Sequence, residues 1–228
     1  MANQVGHLHV TYNNIHNLIK ECTPKIGDEF NPDLMVAIGG GGFFPARVMR
    51  TFLRGVTKNK TLQIQAIGLS LYEPVEGGNE DQIGQEVIRT QWLGPNAGKL
   101  LLGKRVLIVD EVDDTRKTLH YALSELKKDV EAELSTRPES EREALRAATK
   151  FGIFVVHNKK KPKLAELPRD IPYVITIFIA RSNGKTGNDR YYAGEDVDDV
   201  WLDYPWESTN IEEHDRLAML DRSRKSGQ

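Results

Sequence analysis

Residues 105–119 read RVLIVDEVDDTRKTL. Val106 to Val109 is an apolar run of the kind that makes a strand buried on both faces. Asp110, Glu111, Asp113 and Asp114 follow within five positions. Thr115 and Thr118 then bracket Arg116 and Lys117, and a helical pattern begins. A strand ending in carboxylates and hydroxyls, with a helix N-terminus beyond, is suited to a phosphate and its metal. The free N–H groups of the first helical turn point at the anion, and the helix dipole favours it there. Ligands of open α/β sheets also bind at the carboxyl ends of strands. The stretch lacks GxxxxGK[ST], so an ordinary nucleoside-triphosphate loop is not indicated.

Upstream, Leu34 to Ile38 is a second short apolar run, and it leads straight into Gly39-Gly40-Gly41-Gly42. Such a loop exposes backbone N–H groups without side-chain hindrance, which suits a pyrophosphate. A helix carrying Arg47 and Arg50 comes next, then a strand over Thr61–Leu71. Before all of these, residues 11–30 have helical spacing, punctuated by Pro24, Gly27 and Pro32. From Glu73 to Gly98 periodicity is lost, which reads as one long loop.

Downstream, Leu119, Ala122, Leu123, Leu126, Val130 and Leu134 form one apolar helical stripe. Lys127–Lys150 reads as an exposed helical extension broken near Arg137-Pro138. Phe151–Val156 is the next strand, delivering His157-Asn158 and a lysine cluster from Lys159 to Lys163. Tyr173–Ala180 reads as a strand, Ser182–Arg190 as a turn, and Glu212–Gln228 as a charged, frayed helix. Strand and helix alternate through residues 34–156, which predicts a parallel α/β sheet flanked by helices.

The 228 residues suit one domain with a small appended lobe. A hydrophobic content of 39% supports a core, and no apolar run approaches the ~20 residues that span a membrane. The net charge of −2 argues against a general nucleic-acid binder. Cys22 stands alone, so no internal disulfide is expected. The start, MANQVGHLHV, lacks the pattern of a secretory signal, so a cytoplasmic protein is expected.

VLIVDEVDDT resembles the ribose-phosphate signature of the type I phosphoribosyltransferases. The strings IGLSLYE, EVIRTQWL, VHNKKKPKLAELP and YPWE are similar to those of the fungal purine-salvage branch. Within it they sit nearest the xanthine enzyme and near the hypoxanthine-guanine one. The resemblance implies a type I fold: a core over 34–160, a flap over about 72–98, and a hood lobe from 1–33 and 161–228. It implies transfer of ribose 5-phosphate from phosphoribosyl pyrophosphate (PRPP) to N9 of a 6-oxopurine, with magnesium, in a homodimer or homotetramer.

Under that resemblance Gly39, Gly40, Gly41, Asp110, Glu111, Asp113, Thr115, Arg116, Lys117 and Thr118 bind PRPP, and Asp114 is the general base or acid at purine N7. Lys159, or alternatively Lys161, donates to O6. Trp201 stacks on the base and Leu202 offers a carbonyl near C2. Asp110, Glu111 and Glu207 are the magnesium candidates, and Ser70 and Tyr72 begin the flap. Two departures stand out. The family usually has glycine where this chain has Arg116, an arginine that would add a phosphate contact. It also often has a basic residue in the pyrophosphate loop, where this chain has Gly39 or Gly40, leaving Arg47 or Arg50 to supply the charge. Two other readings share the fold: a PRPP-sensing regulator, and a sister enzyme for adenine or a pyrimidine.

Overall fold

The computed structural model describes residues 6–71, 87–168 and 190–226. Its centre is a six-stranded sheet in the order β4-β3-β2-β5-β6-β7. The strands are β2 (Leu34–Gly39), β3 (Gln63–Leu71), β4 (Val87–Gln91), β5 (Arg105–Asp113), β6 (Lys150–Lys159) and β7 (Tyr191–Val197). All neighbours are parallel except the edge strand β4, which runs antiparallel to β3.

The central strands are apolar on both faces because both faces are covered. Met35, Ala37, Leu107, Val109, Phe154 and Val156 point to one side, under helices α1 (Tyr12–Glu29) and α2 (Phe43–Val56). Leu34, Val36, Ile38, Val106, Ile108, Ile153 and Val155 point to the other, under α4 (Lys117–Ser135). The helix after β2 and the helix after β5 thus lie on opposite faces while β2 and β5 are neighbours. That divergence opens a crevice at their carboxyl ends, the usual place for a ligand in such sheets.

Several expectations shift. Helix α1 is an exception: it fills the expected span of 11–30, running through Pro24 to Glu29, because Ile15, Ile19, Thr23, Ile26 and Gly27 all lie on its buried face. It ends just before Asn31 takes a left-handed φ of 50°. The loop expected from 72 to 98 is partly structured: β4 and a short helix α3 (Ala97–Leu101) occupy its second half, while 72–86, with Tyr72, lie outside the described residues. Arg89 of β4 stacks over Trp92 at 4.2 Å and pairs with Glu125, and Trp92 Nε1 donates to Asp129 at 2.6 Å, fastening this limb to α4. The charged extension is the separate helix α5 (Glu139–Ala148). The strand expected at 173–180 lies outside the described residues.

Of the segments expected in the hood, α1 packs over the main sheet and β7 extends it, while 169–189 lie outside the described residues. What stands apart is a two-stranded parallel sheet of β1 (His7–His9) and β8 (Trp201–Asp203), with helix α6 (Ile211–Ser226) against it. His9 Nδ1 pairs with Asp221 at 2.9 Å and His214 Nε2 meets the Val10 carbonyl at 2.9 Å. After β8, Tyr204, Trp206 and Phe44 of α2 stack nearly parallel, with centroid distances of 4.8 and 5.3 Å. Among the described residues no helix is long and apolar enough to cross a membrane.

Candidate active site

Strand β5 outruns its neighbour. It pairs with β2 only as far as Val109, yet follows β6 out to Asp113, opposite Asn158. Asp110, Glu111 and Asp113 therefore continue the strand, with Asp114 just past its end, and their edge toward β2 is left open. There lies a cavity of about 960 Å³, whose lining includes Gly39, Ser70, Asp110, Glu111, Asp114, Thr115, Thr118 and Glu207. Elements far apart in sequence meet here: the ends of β2, β3 and β5, the start of α4, and the segment after β8.

The glycine loop sits against the acid strand. The Gly39–Gly40 peptide is cis. A methyl group on Gly42 would come within 2.5 Å of the carbonyls of Ile38 and Val109, so only glycine fits there. A methyl on Gly41 would fall on the Glu111 carboxylate, which lies across the loop. Gly39 lines the cavity and the Phe43 ring lies against it. Arg47 donates to Thr51 and Arg50 to the Leu62 carbonyl, and neither lines the cavity.

The carboxylates are crowded. Asp110 is buried, and burial followed by the Glu111 charge pushes its carboxyl well above the ordinary range. Glu207 is raised by burial and then by Glu111. Glu111 Oε2 is buried without a hydrogen-bond partner. Hard oxygen donors short of positive charge suit magnesium. The described residues hold no ready-made group of three acidic, histidine or cysteine ligands. Magnesium commonly takes only one or two carboxylates and draws the rest from phosphates and water. Asp110, Glu111 and Glu207 fit that habit.

Asp114 is held differently. Lys159 Nζ lies 3.1 Å from its Oδ2 and Lys161 Nζ 2.9 Å from its Oδ1. Burial works to raise this carboxyl, but the bonds from Lys161 and Lys159 outweigh it and hold the group below its ordinary range. Both lysines considered for O6 therefore reach the same acid. Lys159 is the more buried of the two, and Lys161 is shared with Asp199. Lys163 was missed as a site residue: its ammonium donates to the carbonyls of Asp113, Asp114 and Lys159 at 2.7, 2.9 and 2.9 Å. It ties the end of β5 to the end of β6.

Other expected residues fall elsewhere. Asp113 and Arg116 both border the cavity, but the Asp113 side chain is fully buried and bonded to Arg116 and Tyr191. Arg116 takes φ 71°, the left-handed form that a glycine would adopt freely, and its guanidinium is buried against Asp113 instead of extending to a phosphate. Gly40, Gly41, Lys117, Lys159, Trp201 and Leu202 are absent from the cavity lining. Trp201 is 58% exposed on β8, and Leu202 is buried in the core. Tyr204, also missed, donates its hydroxyl to the Glu111 carbonyl at 3.0 Å and meets His157 Nδ1 at 2.9 Å. No short spacing announces Lys163 or Tyr204, because their partners lie about 50 and 93 residues away.

Residues 2–183 match the model of the phosphoribosyl transferase domain. The chain is 47% identical over 216 residues to hypoxanthine-guanine phosphoribosyltransferase of Saccharomyces cerevisiae, covering 92% of this chain and 90% of the relative. It is 45% identical over 218 residues to xanthine phosphoribosyltransferase 1 of the same yeast, covering 92% and 94%. Among solved structures, a hypothetical protein from Neisseria gonorrhoeae with bound ppGpp matches with a TM-score of 0.68 and 34% identity, covering 96% of this chain and 99% of that one. The crevice at the β2/β5 divide, the acid strand and these matches converge, and the chain belongs to the phosphoribosyl transferase domain family as one of its enzymes.

Proposed function

We propose that this enzyme transfers ribose 5-phosphate from PRPP to N9 of a 6-oxopurine in purine salvage. The observation that carries the reading is one crevice lined by Gly39, the Asp110–Glu111 pair, Thr115 and Thr118 at the start of α4, and Asp114 held by two lysines. The amides of Thr115 to Thr118 receive the 5′-phosphate at the helix N-terminus. Asp110 and Glu111 accept from the ribose hydroxyls, and Gly39 to Gly41 offer amides to the pyrophosphate. Glu111 and Glu207, with Asp110, hold magnesium, which when bound neutralises the departing pyrophosphate.

Purine N9 forms its bond to C1′ as the C1′–oxygen bond breaks and pyrophosphate leaves with the electron pair. Asp114 takes the proton from N7, and Lys159 donates to O6. Trp201 stacks on the base and the Leu202 carbonyl meets its C2 edge. Ser70 and Tyr72 begin a flap that keeps water from the reacting carbon. The ppGpp bound by the Neisseria gonorrhoeae relative is in keeping with a purine and phosphates held in this fold.

Xanthine is the preferred base in this reading, and hypoxanthine with guanine is the alternative. The preference rests on the short strings IGLSLYE, EVIRTQWL and YPWE, since identities of 47% and 45% to the two yeast enzymes do not separate them. The enzyme works in the cytoplasm as a homodimer or homotetramer. Steady-state turnover with PRPP and magnesium, comparing xanthine, guanine, hypoxanthine and adenine, tests all of this. Turnover favouring xanthine supports the full reading, and turnover limited to hypoxanthine and guanine transfers it to the alternative. Tight PRPP binding without turnover of any base replaces it with a sensor.

A further inference from the structure

Arg116 combines two features that need a common explanation. It is a long, charged residue in the left-handed region, at the N-cap of α4, where its Cβ costs free energy that glycine would avoid. Its guanidinium is only 7% exposed and donates twice to Asp113 Oδ2, at 2.9 and 2.7 Å. That same oxygen accepts the Tyr191 hydroxyl at 2.6 Å, while the guanidinium carbon lies 5.3 Å from the Tyr191 ring centre. On the other side, Lys163 Nζ stands 3.5 Å from Asp113 Oδ1. A buried carboxylate is costly unless paired, and this one is paired from both directions.

The geometry of the connection gives the cluster a purpose. Asp113 is the last residue of β5 and Arg116 caps α4, so their bond closes the turn that carries Asp114 and Thr115. Tyr191 stands on β7, two strands from β5, and fastens that turn to the far side of the sheet. The cavity is lined by Asp113, Asp114, Thr115 and Arg116 of the closed turn and by Thr118 beyond it, whereas Tyr191 does not line it. A loop held in one form before its anion arrives loses less conformational freedom on binding.

We infer that Asp113, Arg116 and Tyr191 form an internal clamp holding residues 115–118 in their phosphate-receiving conformation, with Arg116 and Tyr191 acting as positioning residues that do not contact the phosphate. This rests on the proposed reading of 115–118 as the 5′-phosphate loop. It also accounts for an arginine at a glycine-like position: the bonds to Asp113 offset the backbone cost.

The test compares full-length wild type with Tyr191→Phe, Arg116→Lys and Arg116→Gly. Tyr191→Phe removes one hydroxyl from a strand outside the cavity. Arg116→Lys keeps the charge without the two-pronged fork. Arg116→Gly suits the backbone and deletes the clamp. Amide hydrogen exchange of the free protein and steady-state kinetics are both read. Exchange at residues 115–118 is expected to quicken in Tyr191→Phe while the rest of β5 and α4 keeps wild-type rates. The KM for PRPP is expected to rise about tenfold in Arg116→Gly and less in the other two, with kcat and the KM for the base within about twofold of wild type.

An unchanged KM for PRPP in Arg116→Gly, or unchanged exchange in Tyr191→Phe, overturns the clamp. So does faster exchange throughout the chain with kcat and both KM values impaired together, which describes general destabilisation. Wild type that fails to turn over PRPP refutes the functional reading instead, and the exchange comparison then still accepts or rejects the clamp.

Discussion

Asp114 and its two lysines show how one carboxylate can be kept ionised in a crowd of acids. Its pairing with Lys161 and Lys159 holds it ready to accept a proton, while Asp110 and Glu207 are driven the opposite way by burial and by Glu111. Asp114→Asn is expected to lower kcat about a hundredfold or more while moving the purine KM by less than about threefold. Equal losses in both would assign the residue to binding. The raised carboxyls carry a pH consequence. Because their folded pKa values lie above the unfolded ones, the free protein loses stability as pH climbs from the ordinary carboxylate range through the raised values. A divalent cation takes the ionised form, so the rise in Tm on adding magnesium with pyrophosphate is expected to grow over that window. Glu207→Gln should shrink this growth, and a pH-independent shift would exclude the acids as the metal's ligands. At this scale the acids and threonines of 110–118 were legible because strand, carboxylates and helix start are consecutive. The fate of Arg116 was not: whether its side chain turns in or out depends on Tyr191, 75 residues along the chain.

The two glycines of the first loop divide stability from function. A methyl on Gly42 meets fixed backbone carbonyls, so Gly42→Ala is expected to destabilise the fold by about 2 kcal/mol or more in urea denaturation. A methyl on Gly41 meets only the end of the Glu111 side chain, which can swing aside. Gly41→Ala is therefore expected to leave the urea midpoint nearly unchanged while raising the KM for PRPP, since the displaced carboxylate is a proposed ribose and magnesium ligand. Matching effects in the two variants would show that the loop, not Glu111, governs both. Elements with strong local patterns, such as β2, β5, β6 and the stripe of α4, were readable from periodicity alone. The helix over 11–30 was readable despite Pro24, since a proline inside a helix is a local penalty, overridden here by five buried positions on one helical face. Strand β4 escaped notice because it lies at the sheet edge with little burial, so nothing in Val87–Gln91 required an alternating pattern.

Among the described residues there are two sheets of very unequal size, and Tyr204 joins them. It follows the small sheet directly, yet its hydroxyl reaches the Glu111 carbonyl on the central strand and His157 on the next. Tyr204→Phe is expected to cost about 1–3 kcal/mol, read from urea denaturation, and to weaken PRPP binding through Glu207 three residues on. A loss of stability with PRPP affinity intact would mean that Glu207 is placed by other contacts. Long-range joins of this kind leave no trace in sequence spacing, so nothing near Tyr204 announces its link to Glu111. The stack of Tyr204, Trp206 and Phe44 spans the same join, reaching from the residue beside Glu207 to the helix that follows the glycine loop. An indole sandwiched there is a built-in optical reporter. Its emission depends on the spacing of the two flanking rings, so PRPP entering the crevice should register as a change in Trp206 fluorescence. Trp201→Phe would remove the solvent-exposed background, giving a titration that needs no added dye.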